Sequence, residues 1–111
     1  MSSEIDRIDR ILKRAVELTR SRQLEWDAGE RLYGYYAPVP GGILFVGSAD
    51  GDGVGPWEFA VLSPEGRAVD ELRTDHRPET FEAVHGLYDT AQKRVEGTEG
   101  VLDDVERGLG L

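Results

Sequence analysis

Apolar residues recur at helical spacing near the N-terminus: Ile5, Ile8, Ile11, Leu12, Ala15, Val16 and Leu18. At 100° per residue they share a sector of roughly 160°, the breadth of a stripe that faces a core. The opposite face carries Asp6, Arg7, Asp9, Arg10, Lys13, Arg14, Glu17 and Arg20. Within it Asp6–Arg10 and Asp9–Lys13 are acid-first i,i+4 pairs, the orientation that supports a helix. Ser2 and Ser3 precede the stripe, and Ser3-x-x-Asp6 is a variant capping box. The pattern predicts a helix within residues 1–22, starting at about Ser3.

From Trp26 to Leu72 the period changes to alternation, with aromatic and β-branched residues between turn signals. A meander of about four strands over 26–72 follows from it. The first strand, about Arg31 to Ala37, sets Tyr33 and Tyr35 against Leu32 and Tyr36 and is closed by Pro38-Val39-Pro40-Gly41-Gly42. The second is the apolar run Ile43-Leu44-Phe45-Val46. The third, Trp57 to Leu62, puts Trp57, Phe59 and Val61 on one face. Ser63-Pro64-Glu65-Gly66, with Pro at i+1 and Gly at i+3, turns the chain into a short fourth strand from about Arg67 to Leu72. Strands joined by such short links are expected to be antiparallel, with helices covering one face of the sheet.

Pro78 suits the first turn of a helix over 78–96, whose Phe81, Val84, Leu87, Tyr88, Ala91 and Val95 share a sector of roughly 120°. Gly97 stops it, and Thr98 can cap a short helix over 98–108 bearing Val101, Leu102, Val105 and Leu109. All nine aromatic residues lie between 26 and 88, so this last helix is expected outside the aromatic core, fraying at Gly108 and Gly110. The expected fold is α+β, a single domain over 1–111 with no internal repeat.

Charge changes the picture more than composition does. The formal net charge is −9, yet residues 1–22 carry six basic against four acidic side chains, net +2, leaving −11 for the remainder. The first helix is therefore a candidate docking surface through Arg7, Arg10 and Arg14. An overall excess of acid disfavours nucleic acid, whose backbone is bound by Lys and Arg displacing counterions. Cysteine is absent, which removes disulfides, thiol catalysis and thiolate metal sites. No apolar run approaches a membrane span, and Met1-Ser2-Ser3-Glu4 lacks a signal peptide's basic start, so the expected location is cytoplasmic, with no membrane partner.

Candidate chemistry is sparse. The loop Gly47-Ser48-Ala49-Asp50-Gly51-Asp52-Gly53-Val54-Gly55-Pro56 is longer and richer in Gly than a hairpin link needs. Read as a calcium loop from Asp50, it has Val54 at ligand position 5 and Val61 in place of the bidentate Glu at 12, so two ligands are missing. No Lys and Ser/Thr pair follows the glycines for phosphate, and Val46 breaks a Gly-x-Ser-x-Gly elbow at Ser48. His76 lies beside Asp75, and His85 is one helical turn from Asp89, the minimum pair for acid–base work without a nucleophile or third ligand. No catalytic, metal or cofactor site is expected.

Tyrosine falls on both faces of the first strand and one sheet face has no helix to cover it, which makes Tyr33, Tyr35, Tyr36 and Trp57 candidate interaction residues together with Leu102 and Val105. The expected function is a non-enzymatic adaptor or regulatory module that self-associates as a homo-oligomer or docks on a partner protein. The alternative is a small acidic immunity or inhibitor protein that masks a basic toxin or nucleic-acid-binding protein.

Leu18-Thr19, Leu24-Glu25-Trp26, the Tyr-rich first strand, the turn Ser63-Pro64-Glu65-Gly66 and Leu87-Tyr88 together resemble a group of small uncharacterised prokaryotic domains, over about Ile11 to Val95. The resemblance implies a helix–meander–helix layout used as an accessory unit near conflict and defence systems, with no catalytic residues to transfer. The long Gly/Asp loop and the last helix depart from that pattern.

Overall fold

The computed structural model describes residues 4–111, with the side chains of 4–6, 98 and 99 left aside. Ser2, Ser3, the capping box to Asp6, Ile5 and the Asp6–Arg10 pair lie outside the described residues, as does any capping by the Thr98 side chain. Helix α1 spans Glu4–Arg20. Five strands follow, β1 (Asp27–Ala28), β2 (Gly34–Val39), β3 (Gly42–Ser48), β4 (Trp57–Leu62) and β5 (Ala68–Arg73), then a 3₁₀ turn Pro78–Thr80, α2 (Phe81–Val95) and α3 (Thr98–Gly108). The sheet order is β1-β2-β3-β4-β5, with every pairing antiparallel. This is the expected α+β layout with one strand more than expected.

α1 ends two residues before its expected limit because Arg22 takes a left-handed conformation, φ 61°. The Arg22 N–H then donates to the Thr19 carbonyl (3.1 Å) and the Gln23 N–H to that of Leu18 (2.8 Å), the paired bonds that close a helix end. The first strand is displaced for a similar reason. Tyr33 has φ 54° and the Gly34 N–H donates back to the Arg31 carbonyl, so residues 31–33 form a turn and β2 begins only at Gly34. Tyr33 and Tyr35 therefore do not share a strand face. The added strand β1 pairs Asp27 with Tyr36 and Ala28 with Tyr35. Two exposed residues, an Asp and an Ala, carry no alternating pattern by which a strand could be read.

The β4–β5 hairpin follows its turn chemistry: the Gly66 N–H donates to the Ser63 carbonyl at 2.8 Å and Gly66 sits at φ 89°, where a side chain would be strained. The register shifts between Val61 and Leu62, so that Leu62 faces Ala68 while Val61 faces Asp70, and Val69 bulges out unpaired.

α1 and α2 lie side by side against one face of the sheet. Ile8, Leu12 and Ala15 of α1 and Val84, Leu87, Tyr88 and Ala91 of α2 meet Tyr35, Ala37, Leu44, Val46, Phe59 and Leu72 of the strands. Arg77 fastens the chain after β5 to α1 through Asp9 at 2.7 Å and reaches Glu79 at 3.2 Å. Asp9 thus takes a tertiary partner where the local pattern predicts Lys13. The 3₁₀ turn replaces the expected first turn of α2, and Phe81, expected in the core, is 44% exposed and stacks flat on His85.

Candidate functional site

The expected interaction residues are distributed over separate surfaces. Arg7, Arg10 and Arg14 are exposed on α1, with Arg14 3.3 Å from Glu17. Arg7 stands at the rim of a groove between α1 and the edge strand β5, of about 170 Å³, lined by Ile8, Ile11, Val61, Val69 and Asp70. Val69 is 70% exposed there, because the bulge turns it out of the pleat. Arg14 follows Arg7 on the same side of the helix two turns later.

The aromatic residues divide between core and surface. Trp57 packs on Tyr88 with centroids 4.4 Å apart and Tyr35 on the same ring at 5.6 Å, both within the helix-covered layer. Burial pushes the Tyr88 phenol up to about 12 and raises that of Tyr35, with Glu96 adding to both. Both phenols therefore stay neutral at physiological pH. Tyr35 and Trp57 belong to the core and offer no docking surface, since alternation along β2 and β4 turns them inward. Tyr36 faces the other side of the sheet, half-buried against Phe45 at 5.0 Å. Only Tyr33 of the four is exposed, its ring against Gly53 of the long loop.

That loop is held from within. The buried Ser48 hydroxyl contacts Asp52 Oδ1 at 2.9 Å and the Val54 carbonyl at 2.8 Å, and the Val54 N–H donates to Asp52 Oδ1 at 3.1 Å. Arg31 closes the loop's base by donating to the Ser48 and Ala49 carbonyls and to Glu58, each at 3.2 Å. Asp52, the acid at the third position of the calcium-loop reading, is exposed, with its Oδ1 engaged as the loop's internal acceptor. The Val54 N–H first, and the Ser48 hydroxyl with it, hold the Asp52 carboxyl below the usual carboxylate range. A depressed folded-state pKa stabilises the fold above the unfolded value, and that stabilisation is lost as pH falls through the folded one. Asp52→Asn, which keeps an acceptor and removes the charge, is expected to be less stable than wild type at neutral pH, with the gap closing below about pH 4. Urea midpoints at several pH values check this, and a pH-independent gap would refute it.

Neither histidine has its neighbouring carboxylate to itself. Asp75 is taken by Arg73 in a two-pronged pair, both bonds 3.1 Å, with the His76 ring 3.9 Å off and exposed. The Arg73 bonds hold Asp75 below its ordinary range. Asp89 pairs with Lys93 at 2.9 Å, while His85 lies between Phe81 (5.3 Å) and Trp57 (5.1 Å). Among the described residues no group of three His, Asp or Glu is placed to hold a metal ion, and no helix is long and apolar enough to cross a membrane.

Leu102 and Val105 sit where the sequence places them, on a helix whose described side chains are all exposed. Val101 and Leu109 complete an apolar stripe with them, 52–71% exposed. Gly97, at φ 76°, redirects the chain from α2 into α3, and Arg22 lies 3.9 Å from Asp103 near the end of α1. The molecule extends 51 Å along one axis against 29 and 28 Å along the others. The groove beside Val69 has no sequence signature, because a bulge arises from pairing and not from residue type. A comparison of the chain with protein-family models, with curated proteins and with solved structures finds no match.

Proposed function

We propose that the protein is a non-enzymatic interaction module whose docking element is α3. The observation that carries this reading is the exposed stripe Val101, Leu102, Val105 and Leu109 on a helix whose described side chains are all exposed. Folding gains little from such a helix: an isolated segment of 11 residues is marginal in water, and the apolar face contributes only when something covers it. An amphipathic helix laid in an apolar groove is a recurrent mode of protein recognition. The polar groups that invite a catalytic reading are already engaged, Ser48 and Asp52 with each other, Asp75 with Arg73 and Asp89 with Lys93.

A photo-crosslinking amino acid in place of Leu102, expressed in the native host, is expected to trap one discrete adduct that the same probe at exposed Glu65 does not. An adduct with a basic protein would point to the inhibitor form of this reading. Absence of any adduct specific to position 102 would overturn it.

A further inference from the structure

The chain carries, on a different part of its surface, a groove that matches the α3 stripe in shape and charge. Ile8, Ile11, Val61 and Val69 form its apolar floor and wall, with Arg7 at the rim and Arg14 further along the same side of α1. On α3 the apolar stripe is bordered by Glu106 on one side and Asp104 on the other, by their positions on the helical wheel. α3 as a whole has four acidic residues, Glu99, Asp103, Asp104 and Glu106, against Arg107 alone, whereas residues 1–22 are net +2. A ridge with acidic borders therefore meets a groove with Arg7 at its rim and Arg14, itself 3.3 Å from Glu17, further along the same side of α1. Asp70, on the β5 side of the groove, is the one opposing charge among its lining residues.

Its own α3 does not fill this groove. The Arg22–Asp103 contact sets the first turns of α3 beside the C-terminal end of α1, and Ile11 lies nine residues before the last helical residue, Arg20, about 14 Å along the helix axis at 1.5 Å per residue. We infer that the occupant is α3 of a second copy, each chain laying its stripe Val101, Leu102, Val105 and Leu109 in the partner's α1–β5 groove. This rests on the reading of α3 as the docking element. When the exchange is reciprocal, each chain giving its ridge and receiving its partner's, the contact closes on a two-fold axis and assembly stops at a dimer. The area is that of a modest interface: four aliphatic side chains at roughly 100 Å² each, doubled by symmetry, give about 800 Å² from the two stripes, and the smaller grooves bring the total to about 1,000 Å², the low end for specific association. Charge complementarity at the rim sets the pairing and its salt sensitivity.

Light scattering on the full chain is expected to give a dimer within roughly 5–500 µM, a window set by a micromolar interface. L102D and V69D, one on the ridge and one in the groove, both alter exposed side chains and are each expected to yield folded monomers by circular dichroism. R7E/R14E and D104K/E106K are each expected to weaken association about tenfold at low salt, and an equimolar mixture of the two to restore it as a one-to-one heterodimer. A monomeric mass throughout, a dimer indifferent to L102D or V69D, an open series of higher oligomers, or no rescue in the mixture would each overturn the inference. The cross-linking experiment separates the two levels. An adduct of a different protein at position 102 leaves α3 as the docking element and removes the second copy as its occupant, whereas no adduct removes both.

Discussion

Phe45→Ala is expected to lower stability by roughly 3–4 kcal/mol in urea unfolding, as much as a truncation in the helix-covered core. Phe45 stands on the opposite face of the sheet, in a row with Tyr36 and Ala60, where no helix lies. It is nonetheless 2% exposed. The turn at residues 31–33 brings the Arg31 guanidinium to 4.4 Å from the ring centroid, and Tyr36 flanks the ring at 5.0 Å. Arg31 is itself fixed by Glu58 and two carbonyls, so it cannot swing down to fill the space the ring leaves. The truncation would open a cavity under a tethered charge. A loss below about 1 kcal/mol would show instead that the turn collapses onto the sheet, with the ring contributing little.

That burial explains why the outer face was only partly legible in the sequence. Alternation places Tyr36, Phe45 and Ala60 on one side of the sheet, and absence of a helix for that side suggests exposed aromatics. What the pattern cannot carry is the conformation of Tyr33, whose positive φ folds residues 31–33 back over the strands. β-Branched and bulky residues rarely adopt it, so nothing in the residue type announces it. Elements whose signals are local came through intact: β4 occupies Trp57–Leu62 as expected, Ser63–Gly66 makes its turn, and α3 spans the expected range, exposed and outside the aromatic core. Elements that depend on pairing did not. β1 is a two-residue annex to β2, and Asp9 leaves Lys13 for an arginine 68 positions away. For the candidate docking surfaces the division is the same. The α3 stripe and the α1 arginines can be read from helical spacing, but the Val69 groove exists only because β5 slips its register against β4.

Gly34 and Gly47 face each other across β2 and β3 beneath the Phe45 ring, and they separate two kinds of crowding. A Cβ added at Gly34 would lie 2.6 Å from Phe45 Cε1, with the nearest backbone atom, the Arg31 carbonyl oxygen, at 3.2 Å. One added at Gly47 would meet the ring at 2.7 Å and also the Tyr33 carbonyl oxygen at 2.7 Å and the Gly34 Cα at 2.9 Å. Gly34→Ala and Gly47→Ala are therefore each expected to cost about 2 kcal/mol alone, since Arg31 and Tyr36 leave the ring little room to move. In a Phe45→Leu background the two diverge. A smaller side chain relieves the conflict at Gly34, so the double variant is expected to be more stable than the sum of the single losses by about 1 kcal/mol. At Gly47 the clash with backbone persists, and the losses are expected to add. Urea unfolding of the four single and double variants against wild type and Phe45→Leu measures both couplings. Equal couplings at the two glycines would mean that the sheet backbone, and not the Phe45 ring, sets the space on this face.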